Sequence, residues 1–165
     1  MSHADCNSVA AARRLHHEHL VRINDPANPS GAWLTRKQLW EGLRHTVLMP
    51  QSLDDSIDEA SVRTAADGTL QRHIRRGAAT LIDAVELLDQ VSLTIRADAA
   101  GVFAGSTLTI RIEEPAPEML FVRFTYDLIG LEPQRTEEED HARRDAYQAS
   151  DIERVRVARR YLRVN

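Results

Sequence analysis

Apolar and polar residues fall into successive patterns along this chain, and each change of pattern predicts a new element. Near the start, Val21 and Ile23 alternate with polar neighbours, so residues 16–24 read as a strand, stopped by the turn-rich segment Asp25-Pro26-Ala27-Asn28-Pro29-Ser30-Gly31. A short helix follows. Thr35 and Gln38 have capping-box spacing, Leu34 can staple onto Leu39, and Leu39, Trp40, Leu43 and Val47 form an apolar stripe. The helix is expected to run to about residue 45, and Pro50 ends or bends it into a further helical turn over 51–56.

From Ile57 the chain changes to short runs of Val, Ile, Leu and Thr separated by turn signals, which predicts six strands over 61–65, 70–76, 80–87, 91–96, 107–113 and 119–127. Asp67-Gly68, Gly77 and Pro115-Ala116-Pro117 mark reversals, so neighbouring strands are antiparallel. Beyond Gly130 and Pro133, Thr136 and Glu139 form a second capping box, and the acids at 137–140 suit the positive end of a helix dipole. The long terminal helix carries Ala142, Ala146, Ala149, Ile152, Val155, Ala158 and Leu162 at three- and four-residue steps. An antiparallel sheet with one apolar face needs a covering layer, and this stripe is the expected cover.

Length and composition narrow the class. At 165 residues the chain fits one domain, read as a flexible leader over 1–14 and a single domain over 15–165. The hydrophobic content of 42% is enough for a packed core, and the net charge of -4 removes the global basic field of a nucleic-acid binder. Cys6 has no partner for an internal disulfide, as suits a reducing, cytoplasmic setting. No apolar run approaches the roughly 20 residues of a membrane span, so membrane insertion is not expected. A Gly-x-Ser-x-Gly elbow, a phosphate loop, a dinucleotide fingerprint and a Cys-x-x-Cys pair are all missing, so no cofactor is implied. The arginines at 143, 144, 154, 156, 159, 160 and 163 spread around the last helix among acids and read as a solvated surface.

The order strand, helical segment, six strands, long helix resembles the helix-grip fold of the START and birch-pollen-allergen (pathogenesis-related class 10) superfamily. More narrowly, residues 18–26 (EHLVRINDP), 33–40 (WLTRKQLW) and 112–115 (IEEP) resemble the AtaL-like family. The resemblance implies an α+β fold: a seven-stranded curved antiparallel sheet wrapped around a long C-terminal helix, with a short helical segment after the first strand. It also implies a hydrophobic small molecule held between sheet and helix, with aromatase, cyclase or hydrolase activity in some branches. The AtaL-like branch supplies no catalytic motif to carry over to this chain.

Charged residues that interrupt apolar strand faces are the informative positions. A turn at Gly77 and Ala78 sets Arg72 opposite Asp83 and Ile74 opposite Leu81. A two-residue turn at Asp67-Gly68 would set Arg63 opposite Arg72 and Glu59 opposite Arg76, gathering a polar cluster on one face. If that face is inward, the cluster can orient a polar group of an apolar ligand; the ordinary alternative is a cross-strand ion pair. Tyr126 shares a face with Leu120, Val122 and Phe124, and His19 lies beside Val21 and Ile23. His16, His17, Glu18 and His19 alternate between two faces of a strand and cannot converge on a metal. Trp33 and Trp40 flank the short helix as closure of the core or as a lid.

These observations lead to a ligand-binding expectation: a cavity lined by Leu81, Val85, Leu93, Ile110, Val122, Phe124, Ile152 and Val155, with Arg72, Arg76, Asp83, Tyr126 and His19 as its polar groups. The alternatives are an enzyme using Asp83, His19 or Tyr126 as acid or base, and a filled core whose function lies in protein contacts. Exposed strand edges leave room for a homodimer.

Overall fold

In this computed structural model the described residues, 13–28, 31–98, 105–130 and 136–164, form seven strands and two α-helices. In chain order these are β1 (Arg13–Arg22), α1 (Arg36–Leu48), β2 (Glu59–Thr64), β3 (Leu70–Arg76), β4 (Ala79–Leu88), β5 (Ser92–Ala97), β6 (Gly105–Glu113), β7 (Phe121–Gly130) and α2 (Glu137–Val164), with a single 3-10 turn over Pro50–Ser52. The strands make one antiparallel sheet in the order β1-β7-β6-β5-β4-β3-β2, so the first strand closes onto the last and every other neighbour is a hairpin partner. This is the expected helix-grip architecture.

Both helix starts form as the capping-box spacing predicts. Gln38 N–H donates to Thr35 Oγ1 at 3.2 Å while Thr35 N–H donates to Gln38 Oε1 at 2.9 Å, and Thr136 and Glu139 repeat the exchange at 3.2 and 2.8 Å. β1 begins earlier than expected: Arg13 and Arg14 already pair with Gly130 and Ile129 of β7. Residues 1–12 of the expected leader, Cys6 among them, and the expected break at Pro133 lie outside the described residues.

The β2–β3 register corrects the two-residue reading of Asp67-Gly68. Ala65 N–H donates to Thr69 O, Gly68 N–H donates back to Ala65 O, and Gly68 takes φ 86°, so the hairpin loop has three residues. The added residue shifts the pairing by one. Val62, not Arg63, lies opposite Arg72, and Glu59 lies opposite Arg75, not Arg76. Arg63 and Glu59 therefore sit on the outer face, as a one-residue slip requires. At the next turn Gly77, with φ 56°, gives the expected pairs Arg72 with Asp83 and Ile74 with Leu81.

The inner face of the sheet supplies Val85, Leu93, Ile110, Val122 and Phe124, which pack with Leu39, Leu43 and Val47 of α1 and Val155 and Ala158 of α2. These positions form one buried apolar cluster. The expected α2 stripe is also corrected, because Ala142, Ala146, Ala149 and Ile152 are exposed. The inward line runs instead through Tyr147, Asp151, Arg154, Val155 and Ala158, so half of the covering face is polar. Trp40 is buried against this core and Trp33 is exposed, which assigns closure to Trp40.

α1 reaches α2 most closely at Gly42. A Cβ added there would lie 2.9 Å from both the Cβ and the carbonyl oxygen of Ala158. Gly42→Ala should therefore lower stability by about 1–3 kcal/mol through overpacking, although alanine is favoured by about 1 kcal/mol in an open helix. Chemical denaturation measures the sign, and a variant as stable as the wild type or more so would show that the helices do not need this approach.

Candidate functional site

The sheet, α1 and α2 meet around four buried charged side chains. Arg72 on β3 donates from Nε to Asp83 Oδ1 at 2.7 Å and from Nη2 to Asp83 Oδ2 at 2.6 Å, a bidentate fork across neighbouring strands. Its third nitrogen, Nη1, donates to the Val47 carbonyl at the end of α1 at 2.7 Å. Both side chains are almost wholly buried, at 8% and 3% exposure. The pairing is thus internal and structural in its geometry, and it ties β3, β4 and α1 at one point.

Asp151 on α2 is the second buried carboxylate and is fully covered. It accepts a short hydrogen bond from the Tyr126 hydroxyl of β7 and a 3.2 Å bond from His19 Nδ1 of β1. Burial pushes the Asp151 carboxyl up, against the opposing effect of these bonds. The Tyr126 phenol is also held well above its usual range, first by burial and then by its bond to Asp151, so its proton stays on. Its ring stacks on Tyr147 of α2, with centroids 4.1 Å apart and planes within 3°. His17 lies beside both rings, with centroids 6.2 and 6.1 Å away, and its buried Nε2 has no partner. Burial and then the charge of Arg144 depress the His17 pKa.

Arg154 corrects the reading of the α2 arginines as a uniformly solvated set. It is buried and donates from Nη1 to Thr46 Oγ1 at 3.0 Å, while its Nε is unpartnered. Burial brings its pKa down to about 10, with Asp151 among the charges that resist the shift. Arg159 is partly inward too, donating to the carbonyls of Ala32 and Ile23 at 2.6 and 2.5 Å. Asp151, Thr46 and Tyr147 escaped the sequence reading, and His17 entered it only as one of the clustered histidines weighed for a metal. The available signal was phase: Tyr147, Asp151, Arg154 and Ala158 recur at helical steps on the face adjoining Val155.

A cleft of about 220 Å³ opens over the concave face beside this network, lined among others by Leu81, Asp83, Ile95, Leu108, Tyr126 and Tyr147. Of the residues expected to bind ligand, Leu81, Asp83 and Tyr126 reach it. Arg72 bonds Asp83 and His19 bonds Asp151 without lining the cleft, and Val85, Phe124 and Val155 belong to the buried apolar cluster. Arg76 is a correction: it is half-exposed and bonds Asp54 Oδ2 at 2.6 Å, away from the cleft. Ile152 is another, 40% exposed on the outer side of α2. No metal-binding group of His, Cys, Asp or Glu occurs among the described residues, and no helix there is long and apolar enough to cross a membrane.

A curved antiparallel sheet gripping one long helix, with a cleft between them, defines the helix-grip class. Within it, a sequence model of the family described as acetylaranotin biosynthesis cluster protein L (AtaL) matches residues 21–163, and the chain belongs to that family. Among solved structures it is similar to the di-domain ARO/CYC StfQ from the steffimycin biosynthetic pathway, at 9% identity and TM-score 0.65, covering 88% of this chain and 50% of that one. The chain thus spans about half the length of that di-domain protein. It is also similar to the Zhui aromatase/cyclase from Streptomyces sp. R1128 (14% identity, TM-score 0.60, 93% and 97% covered) and to Ara h 8.0201 (12%, 0.59, 93% and 100%). Identities this low carry the fold alone. No curated protein matches the sequence.

Two predictions follow the buried charges. Removing Arg72 leaves Asp83 buried and alone, so Arg72→Met should cost about 3–5 kcal/mol, more than the double variant with Asp83→Leu. A double-mutant cycle by denaturation should give coupling above about 1 kcal/mol, and a value near zero would remove the pair from the interior.

For His17, the folded pKa lies below its ordinary 6.5, so above 6.5 both folded and unfolded chains hold it neutral. As pH falls below that value the unfolded chain takes the proton first and stability drops, until the lower folded pKa is reached. His17→Phe should remove this component, so the wild type should lose stability relative to the variant on acidification. Parallel stability curves for the two proteins would refute a neutral, buried His17.

Proposed function

We propose that the protein is a cytoplasmic carrier or receptor that holds an apolar or aromatic small molecule in the cleft between the concave sheet face and the N-terminal half of α2. The observation that carries this reading is the cleft itself: aliphatic walls from Leu81, Ile95, Leu108 and Leu128 meet the stacked rings of Tyr126 and Tyr147, beside the buried apolar cluster. A ring presented to such walls gains burial and offset stacking together. The names of its structural neighbours, an aromatase/cyclase among them, support an aromatic occupant at the level of the fold.

Catalysis by acid or base is the other reading, and the hydrogen bonds favour binding over it. Of His19, Asp151 and Tyr126, Tyr126 alone lines the cleft, and its proton is directed at Asp151. Asp83 faces the cleft with both oxygens engaged by Arg72. A general base must reach the reacting proton at hydrogen-bond distance, and the bidentate fork fixes the Asp83 carboxylate toward Arg72.

The test is titration with 2-methoxynaphthalene, followed by its own fluorescence. Saturable one-site binding is expected in the wild type and should be lost in Ala97→Phe, which places a ring in the cleft, with the thermal midpoint unchanged. Equal binding by both proteins would overturn the placement, and no binding by either would overturn the reading.

A further inference from the structure

Resting on the cleft reading, we infer that the ligand is a small hydroxylated aromatic, a phenol or enol recognised as a hydrogen-bond donor, and not an aromatic carboxylate. The argument is one of donor and acceptor supply. The Tyr126 hydroxyl has one proton, and it is given to Asp151 Oδ1. What Tyr126 offers the cleft is therefore an oxygen lone pair. Burial and Asp151 both keep the phenol from ionising, so this arrangement persists over the working pH range. Asp83 and Asp127, which also line the cleft, are carboxylates and accept only.

The buried cations that would attract an anion are turned away or screened. All three Arg72 nitrogens donate to protein oxygens, and Asp83 stands between that guanidinium and the cleft. Arg154 is absent from the cleft lining and reaches toward Thr46 of α1. A ligand carboxylate would meet the carboxylates of Asp83 and Asp127 and a Tyr126 oxygen with no proton to give, and would lose hydration that the remaining hydroxyls replace only in part. A ligand hydroxyl would complete the chain hydroxyl to Tyr126 to Asp151, in which each bond polarises the next. Ser106, Thr107 and Tyr147 also line the cleft, with hydroxyls that can donate or accept and add no preference. The volume of about 220 Å³ is below the roughly 300–1,000 Å³ of drug-sized sites, which limits the occupant to one or two rings.

The experiment compares 2-naphthol, 2-methoxynaphthalene and 2-naphthoate by titration at neutral pH, where naphthol keeps its proton and naphthoate carries its charge. Naphthol should bind about five- to tenfold more tightly than the methoxy ether, and naphthoate more weakly than either. Tyr126→Phe should bring naphthol and ether to parity while leaving ether affinity within about twofold. These ratios in the wild type decide the matter even if that variant fails to fold. Naphthoate binding as tightly as naphthol, or parity of naphthol with the ether in the wild type, would overturn the donor inference and leave the cleft reading standing. No binding of any of the three would remove both.

Discussion

Arg72 is the side chain on which the arrangement of the cleft depends. A guanidinium cannot be left in a protein interior without partners, so burial of Arg72 obliges β4 to present Asp83 directly opposite and obliges α1 to end with the Val47 carbonyl overhead. The three constraints fix how far β3 and β4 can slide and where α1 crosses the sheet. They also place a neutralised carboxylate at the floor of the cleft, a polar feature with no net attraction for anions. The same fork that holds the fold together thereby sets what the site can recognise.

Helix α2 divides the interior into two regimes. Toward its C-terminal half, Val155 and Ala158 meet Leu39, Leu43 and the central strands, and Gly42 allows the helices to close fully. Toward its N-terminal half, Tyr147, Asp151 and Arg154 replace aliphatic side chains, and polar geometry governs. Asp151 draws Tyr126 and His19 from two adjacent strands, Arg154 draws Thr46 from α1, and Tyr147 lies flat on Tyr126. The cleft of about 220 Å³ falls beside this half, over β4 to β7.

The outer face of the sheet shows the contrasting solution for charge. Arg123 bonds Glu113 at 2.6 Å and Glu18 at 3.2 Å across three strands, with all three side chains partly in water. Such a ladder favours register at small energetic weight, whereas the buried pairs carry a large penalty when one member is lost. Glu59 and Arg63 belong to this solvated face and have no part in the interior.

Local patterns in the chain were sufficient for element order, both capping boxes, the antiparallel sheet and the Arg72–Asp83 and Ile74–Leu81 pairs, because each depends on residues within a dozen positions of one another. The three short segments at 18–26, 33–40 and 112–115 were likewise enough to point to the family. The β2–β3 register was not legible, since Asp67-Gly68 suits a two-residue turn and a three-residue loop alike, and the choice inverts Arg63 and Glu59. Nor was the inward face of α2. Alanines at 142, 146 and 149 carry the apolar period, yet burial fell to Asp151, whose partners Tyr126 and His19 stand 25 and 132 residues away, and to Arg154, whose partner Thr46 stands 108 residues away, with Tyr147 half-buried on the same side. A charged side chain can be buried only when its partners are already in place, so the helical phase shared by Tyr147, Asp151 and Arg154 became informative only once β1, β7 and α1 completed the face.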